Sequence, residues 1–224
     1  YEYYSMGTFE SFIPSSCEAL KCKVMIDVIK ALEFLHSNNM VCAELDPTKI
    51  YMTSIDIHSE VNCKLSVSGR FKYYDLKKIT PRQLFRTLIF RAPETLRKLE
   101  ITPLSDIYSF GILMYYSFSK KLPGFKDNKL DVVEFSRFIM ESMIPKYKPL
   151  NEIVWELVQA CCAVSPTSRL PLNRVREILI LFLKTFKYRG EAPCKLPTSN
   201  PINLTTVIRS YTQVLQKWTF LKKY

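Results

Sequence analysis

Apolar residues recur at three- and four-residue spacing over residues 18–39, where Leu20, Val24, Val28, Leu32 and Leu35 line one face. That spacing predicts a helix, with Ser15 or Ser16 as its cap. Short apolar runs at 40–45, 50–53 and 62–67 are broken by turn-forming residues and predict short strands. Ser105 to Phe118 is apolar on nearly all sides, the pattern of a helix at the centre of a domain. Further helices are predicted near 130–143, 151–163 and 172–187. Residues 188–203, rich in Pro, Ser and Asn, read as a linker. In the tail 204–224 a last amphipathic helix spans about 204–221, with Leu204, Val207, Ile208, Tyr211, Leu215 and Trp218 along one stripe. Three short strands between a long helix and a helical remainder make an α+β fold, mainly α.

Composition narrows the class. The 224 residues are 47% hydrophobic and 24% charged, enough to bury a core. The seven cysteines are scattered and odd in number, and none has metal-type spacing. They read as reduced thiols and imply a cytoplasmic or nuclear, reducing compartment. The adjacent Cys161 and Cys162 point about 100° apart on a helix and read as small buried residues. Two histidines, His36 and His58, argue against a histidine-based metal site. No apolar run approaches the ~18–20 residues of a membrane helix. The net charge of +11 is spread along the chain without a binding motif, so a nucleic-acid module is the weaker alternative. Residues 70–91 are irregular and hold seven Lys and Arg against one acid, Asp75.

Six fragments then occur in a telling order: Leu32-Glu-Phe-Leu-His36, Val41-Cys-Ala-Glu-Leu-Asp-Pro-Thr-Lys-Ile50, Lys64-Leu-Ser-Val-Ser-Gly69, Phe90-Arg-Ala-Pro-Glu94, Ser105-Asp-Ile-Tyr-Ser-Phe-Gly111 and Ser165-Pro-Thr-Ser-Arg169. Together they resemble the C-terminal lobe of a eukaryotic protein kinase over residues 1–187. The stretch from Phe90 to Gly111 is most similar to the Mos and tyrosine-kinase-like groups. Tyr1-Glu-Tyr-Tyr-Ser-Met-Gly-Thr8 resembles the kinase hinge. The resemblance makes Tyr1, Glu2 and Tyr4 the candidate adenine contacts, and places the N-terminal lobe before residue 1, outside this chain.

Kinase chemistry is mostly positioning and electrostatics. The resemblance puts Glu44 at the proton-accepting Asp position, Asp46 at the phosphate-facing Lys position, Lys49 at the metal-binding Asn position and Val67 at the metal-binding Asp position. Glu44 keeps a carboxylate but adds a methylene. Asp46 puts negative charge where a phosphate would sit. A Lys49 ammonium cannot ligate a cation, and Val67 has no lone pair. Losing both metal ligands removes a large electrostatic contribution.

The frame residues differ. The resemblance implies a buried ion pair between Glu94 and Arg169, hydrogen bonds from the catalytic-loop backbone to Asp106, and close helix packing at Gly111. Ala43 stands where many kinases have an Arg that pairs with an activation-loop phosphate. Thr80, Tyr73 and Tyr74 remain candidate phosphoacceptors. These features lead to an expectation of a catalytically inactive kinase-like domain, a pseudokinase and not an enzyme. It would be a scaffold or regulator binding a protein partner, an active kinase or its substrate. No metal is expected, and any ATP binding is expected to be weak and independent of Mg²⁺. The alternative is a fragment of a serine/threonine protein kinase with residual ATP-dependent activity through Glu44. The tail helix is expected to dock on its own lobe.

Overall fold

The computed structural model describes residues 4–67, 88–126, 129–141, 143–146 and 150–187. Residues 68–87, which hold Gly69, Tyr73, Tyr74, Thr80 and most of the basic segment, lie outside the described residues, as do the linker, the tail helix, Tyr1 and Glu2. The order of helices and strands is α1 (Phe9–Phe12), α2 (Glu18–Ser37), β1 (Ile50–Met52), β2 (Cys63–Leu65), α3 (Pro93–Lys98), α4 (Pro103–Ser119), β3 (Phe125–Lys126), β4 (Lys129–Leu130), α5 (Val132–Glu141), α6 (Glu152–Cys161) and α7 (Leu172–Lys187). The fold is α+β and mainly helical. β1 and β2 are antiparallel, with Ile50 opposite Leu65, Tyr51 opposite Lys64 and Met52 opposite Cys63. β3 and β4 form a second antiparallel pair.

α4 is the centre. Its side chains are buried on every face from Ser105 to Ser117, as the all-round apolar pattern predicts. Thr102 starts it with a reciprocal cap to Ser105, and Pro103 occupies the first turn, where a missing N–H costs nothing. Lys120, at φ 58°, ends it in the left-handed region. α6 packs on α4, while α2 packs on α7 and β2. Phe9, Met25, Ile29, Leu32, Ile50, Phe110, Val158 and Leu179 belong to the one core these elements share. Each fully buried aliphatic or aromatic side chain contributes roughly 1.5–3 kcal/mol relative to exposure.

Two local expectations need correction. Neither Ser15 nor Ser16 caps α2. Both hydroxyls donate back to the Phe12 carbonyl, and Cys17 takes the cap position, its side chain not capping the helix. Residues 40–45 form no strand, because the Cys42 and Ala43 N–H groups are bound by a carboxylate of α4 and Ala43 lies at φ 63°. The helices α1 and α3, of four and six residues, are too short for apolar periodicity to reveal.

Gly111 lies where α4 meets the end of α6. A Cβ there would sit 2.8 Å from Cys161 Cβ and closer still to Cys162 Sγ. Gly111→Ala should therefore overpack the contact and cost ~1–3 kcal/mol, read as a lower urea midpoint. Adding Cys162→Ala should recover part of that loss. An unchanged midpoint in the single variant would contradict this packing.

Candidate active site

The loop after α2 is held by one carboxylate. Asp106, on α4 and 1% exposed, accepts from the Cys42 N–H at 2.8 Å and from His36 Nε2 at 2.9 Å through Oδ2. Its Oδ1 accepts from the Ala43 N–H at 2.9 Å. A non-glycine residue at positive φ costs on the order of 1 kcal/mol. The two charge-assisted bonds offset that strain and fix the backbone leading into Glu44. The Glu44 N–H then turns back to the Cys42 carbonyl at 2.8 Å.

Glu44 is mostly buried, and its Oε1 lies 3.6 Å from Arg91 Nη2, just ahead of α3. The carboxylate is thus anchored through its backbone to α4 and faces an arginine from a distant segment. Sequence reasoning did not find Arg91, since only the fold brings residues 44 and 91 together. The Asp46 carboxylate is bound locally. It caps the 3-10 helix Pro47–Lys49, accepting from the Thr48 N–H at 2.6 Å and from the Thr48 hydroxyl. An Asp followed by Pro and Thr is a cap signature that the sequence contained. That bonding turns part of its charge onto the local backbone.

The Ser66 N–H donates to the Lys49 carbonyl at 2.7 Å, which sets Lys49 beside the segment carrying Val67. Lys49 is half-buried and Val67 is exposed. Among the described residues no group of three or more His, Cys, Asp or Glu is placed to hold a metal ion. An ammonium and an isopropyl group do not ligate a divalent cation, so no metal-dependent step is assigned to Lys49 and Val67. Nearby, the Tyr4 and Tyr51 rings lie 5.6 Å apart, and Lys64 Nζ sits 5.5 Å from the Tyr4 ring centre.

The frame beneath the site is ionic. Arg169 Nη1 and Nη2 donate to Glu94 Oε1 and Oε2 at 2.6 and 2.8 Å. Arg169 also donates to the carbonyls of Leu104 and Ala163, and its guanidinium lies 5.1 Å from the Tyr108 ring centre. Ser105 Oγ adds a bond to Glu94 at 3.2 Å. Burial pushes the Glu94 carboxyl up, but the hydrogen bonds and charge of Arg169 outweigh it and hold the pKa below the ordinary value. The thiols beside the site are poor nucleophiles. Burial, then the Asp106 charge, push Cys42 up to about 12, and burial pushes Cys161 up to about 12.

The protein kinase domain profile matches residues 1–179. This chain belongs to the protein kinase family. It is 26% identical over 193 residues to "Probable serine/threonine-protein kinase gdt2" of Dictyostelium discoideum, covering 83% of this chain and 12% of that protein. It is 35% identical over 105 residues to the proto-oncogene serine/threonine-protein kinase mos of Sus scrofa, covering 46% of this chain and 29% of mos. The mouse mos protein is also 35% identical, over 125 residues, with 52% of this chain and 35% of that protein covered. The chain thus spans about a tenth to a third of the length of these relatives. The expectation that the chain is not an enzyme is overturned: the relatives it matches are named as serine/threonine kinases.

The lowered Glu94 carboxyl sets a pH signature. The stability it contributes is full above the ordinary glutamate value and is lost as pH falls through the lower folded value. Glu94→Gln should cost ~3–5 kcal/mol at neutral pH, because it leaves Arg169 buried without a counter-charge. It should also flatten the acid limb of a stability-against-pH curve from urea unfolding. An unchanged acid limb would contradict the pair's role.

Proposed function

We propose that the described residues form the C-terminal lobe of a serine/threonine protein kinase domain, and that Glu44 is its proton acceptor. The observation that carries this reading is the carboxylate of Glu44 on a loop held by Asp106, in a chain of the kinase family whose relatives are named serine/threonine kinases. The co-substrates are a nucleoside triphosphate and a protein hydroxyl. The hydroxyl oxygen bonds to the γ-phosphorus as the bond to the bridging oxygen breaks. The nucleoside diphosphate leaves with that electron pair, and the hydroxyl proton passes to Glu44.

Turnover is expected to be slow. The extra methylene of Glu44 moves the carboxylate relative to an aspartate, and small displacements cost on the order of 100-fold. Lys49 and Val67 supply no metal charge to the transferring group. A low rate also favours a role through binding, with the helical lobe engaging the same class of protein, a partner or substrate of kinase signalling, as it turns over.

The test is incorporation of labelled phosphate from ATP into protein serine or threonine by the whole protein, compared among wild type, Glu44→Gln and Glu44→Asp. Glu44→Gln should abolish incorporation, and Glu44→Asp should raise it by up to ~100-fold. Equal incorporation in wild type and Glu44→Gln, or none in any of the three, would overturn the proposal.

A further inference from the structure

The corner where Lys49 meets the segment of Val67 has a charge of the wrong sign for a metal and the right sign for a phosphate. Lys49 ends the 3-10 helix, and its carbonyl is tied to the Ser66 N–H at 2.7 Å. The two acids closest to it in sequence are bound elsewhere: Asp46 to Thr48, and Glu44 towards Arg91. Lys49 is half-buried as a residue, and its ammonium makes no ion pair with a described residue. An ammonium without a protein counter-ion is open to an anion beside it.

On the adjoining hairpin, Tyr51 faces Lys64 across the strands, and Tyr4 completes a small group with two aromatic rings and a second ammonium. Aromatic faces accept planar rings by stacking, and lysines accept phosphate as point charges. A polyphosphate joined to a flat ring has the chemistry that both groups accept.

We propose that this chain takes its nucleoside triphosphate without a divalent cation, with the Lys49 ammonium standing against the phosphates in the metal's place. This deepens the proposed function and rests on its assignment of a nucleotide co-substrate. A free tetraanionic triphosphate is then the better ligand than its magnesium complex. The complex brings a dication towards Lys49 and offers less negative charge to it. Val67, lacking a lone pair, provides no ligand to favour the complex.

Calorimetric titration of the whole protein with ATP, once in EDTA and once in excess Mg²⁺, tests this, with inorganic tripolyphosphate as a probe of the phosphate half alone. ATP should bind in EDTA at least as tightly as in Mg²⁺, and tripolyphosphate should compete. Lys49→Ala should weaken ATP in EDTA by about tenfold or more, with an unchanged unfolding midpoint as the control for folding. Lys49→Asn combined with Val67→Asp, which reinstates oxygen ligands, should reverse the preference towards Mg²⁺. Tighter wild-type binding in Mg²⁺, unchanged affinity in Lys49→Ala, or no binding in either buffer would each overturn the inference. Its fate is separable from that of Glu44. Metal-independent ATP binding without phosphate incorporation leaves this inference standing and removes the Glu44 proposal. Glu44-dependent incorporation that requires Mg²⁺ does the reverse.

Discussion

Asp106 collects three donors on a carboxylate that is almost wholly out of water: two loop N–H groups and the ring of His36. A buried carboxylate is costly unless its lone pairs are used, and here the users come from both sides of the active-site loop. The geometry works in two directions. The loop donors make it tolerable for α4 to carry an acid on a face of apolar neighbours. The acid in turn makes it tolerable for Ala43 to sit at φ 63°. Remove either side and the other becomes a liability. The position of Glu44, one residue on, therefore depends on the core of the domain rather than on local loop preferences.

A second buried charge closes the same body further along the chain. The Glu94–Arg169 pair joins the start of α3 to the turn before α7, and Arg169 adds carbonyl bonds to Leu104 and Ala163. Pairs of this kind add little net stability over an apolar replacement, but they are severe to break singly. Their value here is positional. Arg91, three residues before Glu94, is carried on the same anchored segment and comes to lie 3.6 Å from Glu44. The frame thus sets both the carboxylate and the guanidinium opposite it. Lys49 and Val67 stand where the family resemblance implies metal ligands, and unlike Asp106 and Arg169 neither is buried.

What was legible in the sequence follows the same division. The α2 face of Leu20, Val24, Val28 and Leu32 repeats often enough to declare a helix, and the all-round apolar α4 declares its central place. The strands at Ile50–Met52 and Cys63–Leu65 show as short apolar runs. The run at 40–45 looked the same, yet its N–H groups go to Asp106, a choice made by tertiary structure that no local pattern encodes. The same is true of Arg91 opposite Glu44, residues 47 positions apart in sequence. The Asp46 cap, by contrast, is local, and the Pro and Thr that follow it encode it. The expectation of an inactive domain rests on side-chain identities at four positions, and the relatives named as kinases correct it.

The central claim is that Asp106 holds the loop that presents Glu44. Amide hydrogen exchange at Cys42 and Ala43 tests it most directly. In the wild-type protein both amides should exchange only through large-scale opening, as slowly as buried amides within α4. In Asp106→Asn, which keeps one acceptor and loses the charge, they should speed up by about tenfold or more beyond any change in α4. Wild-type exchange at Cys42 and Ala43 as fast as at the exposed loop residue Glu60 would contradict the account.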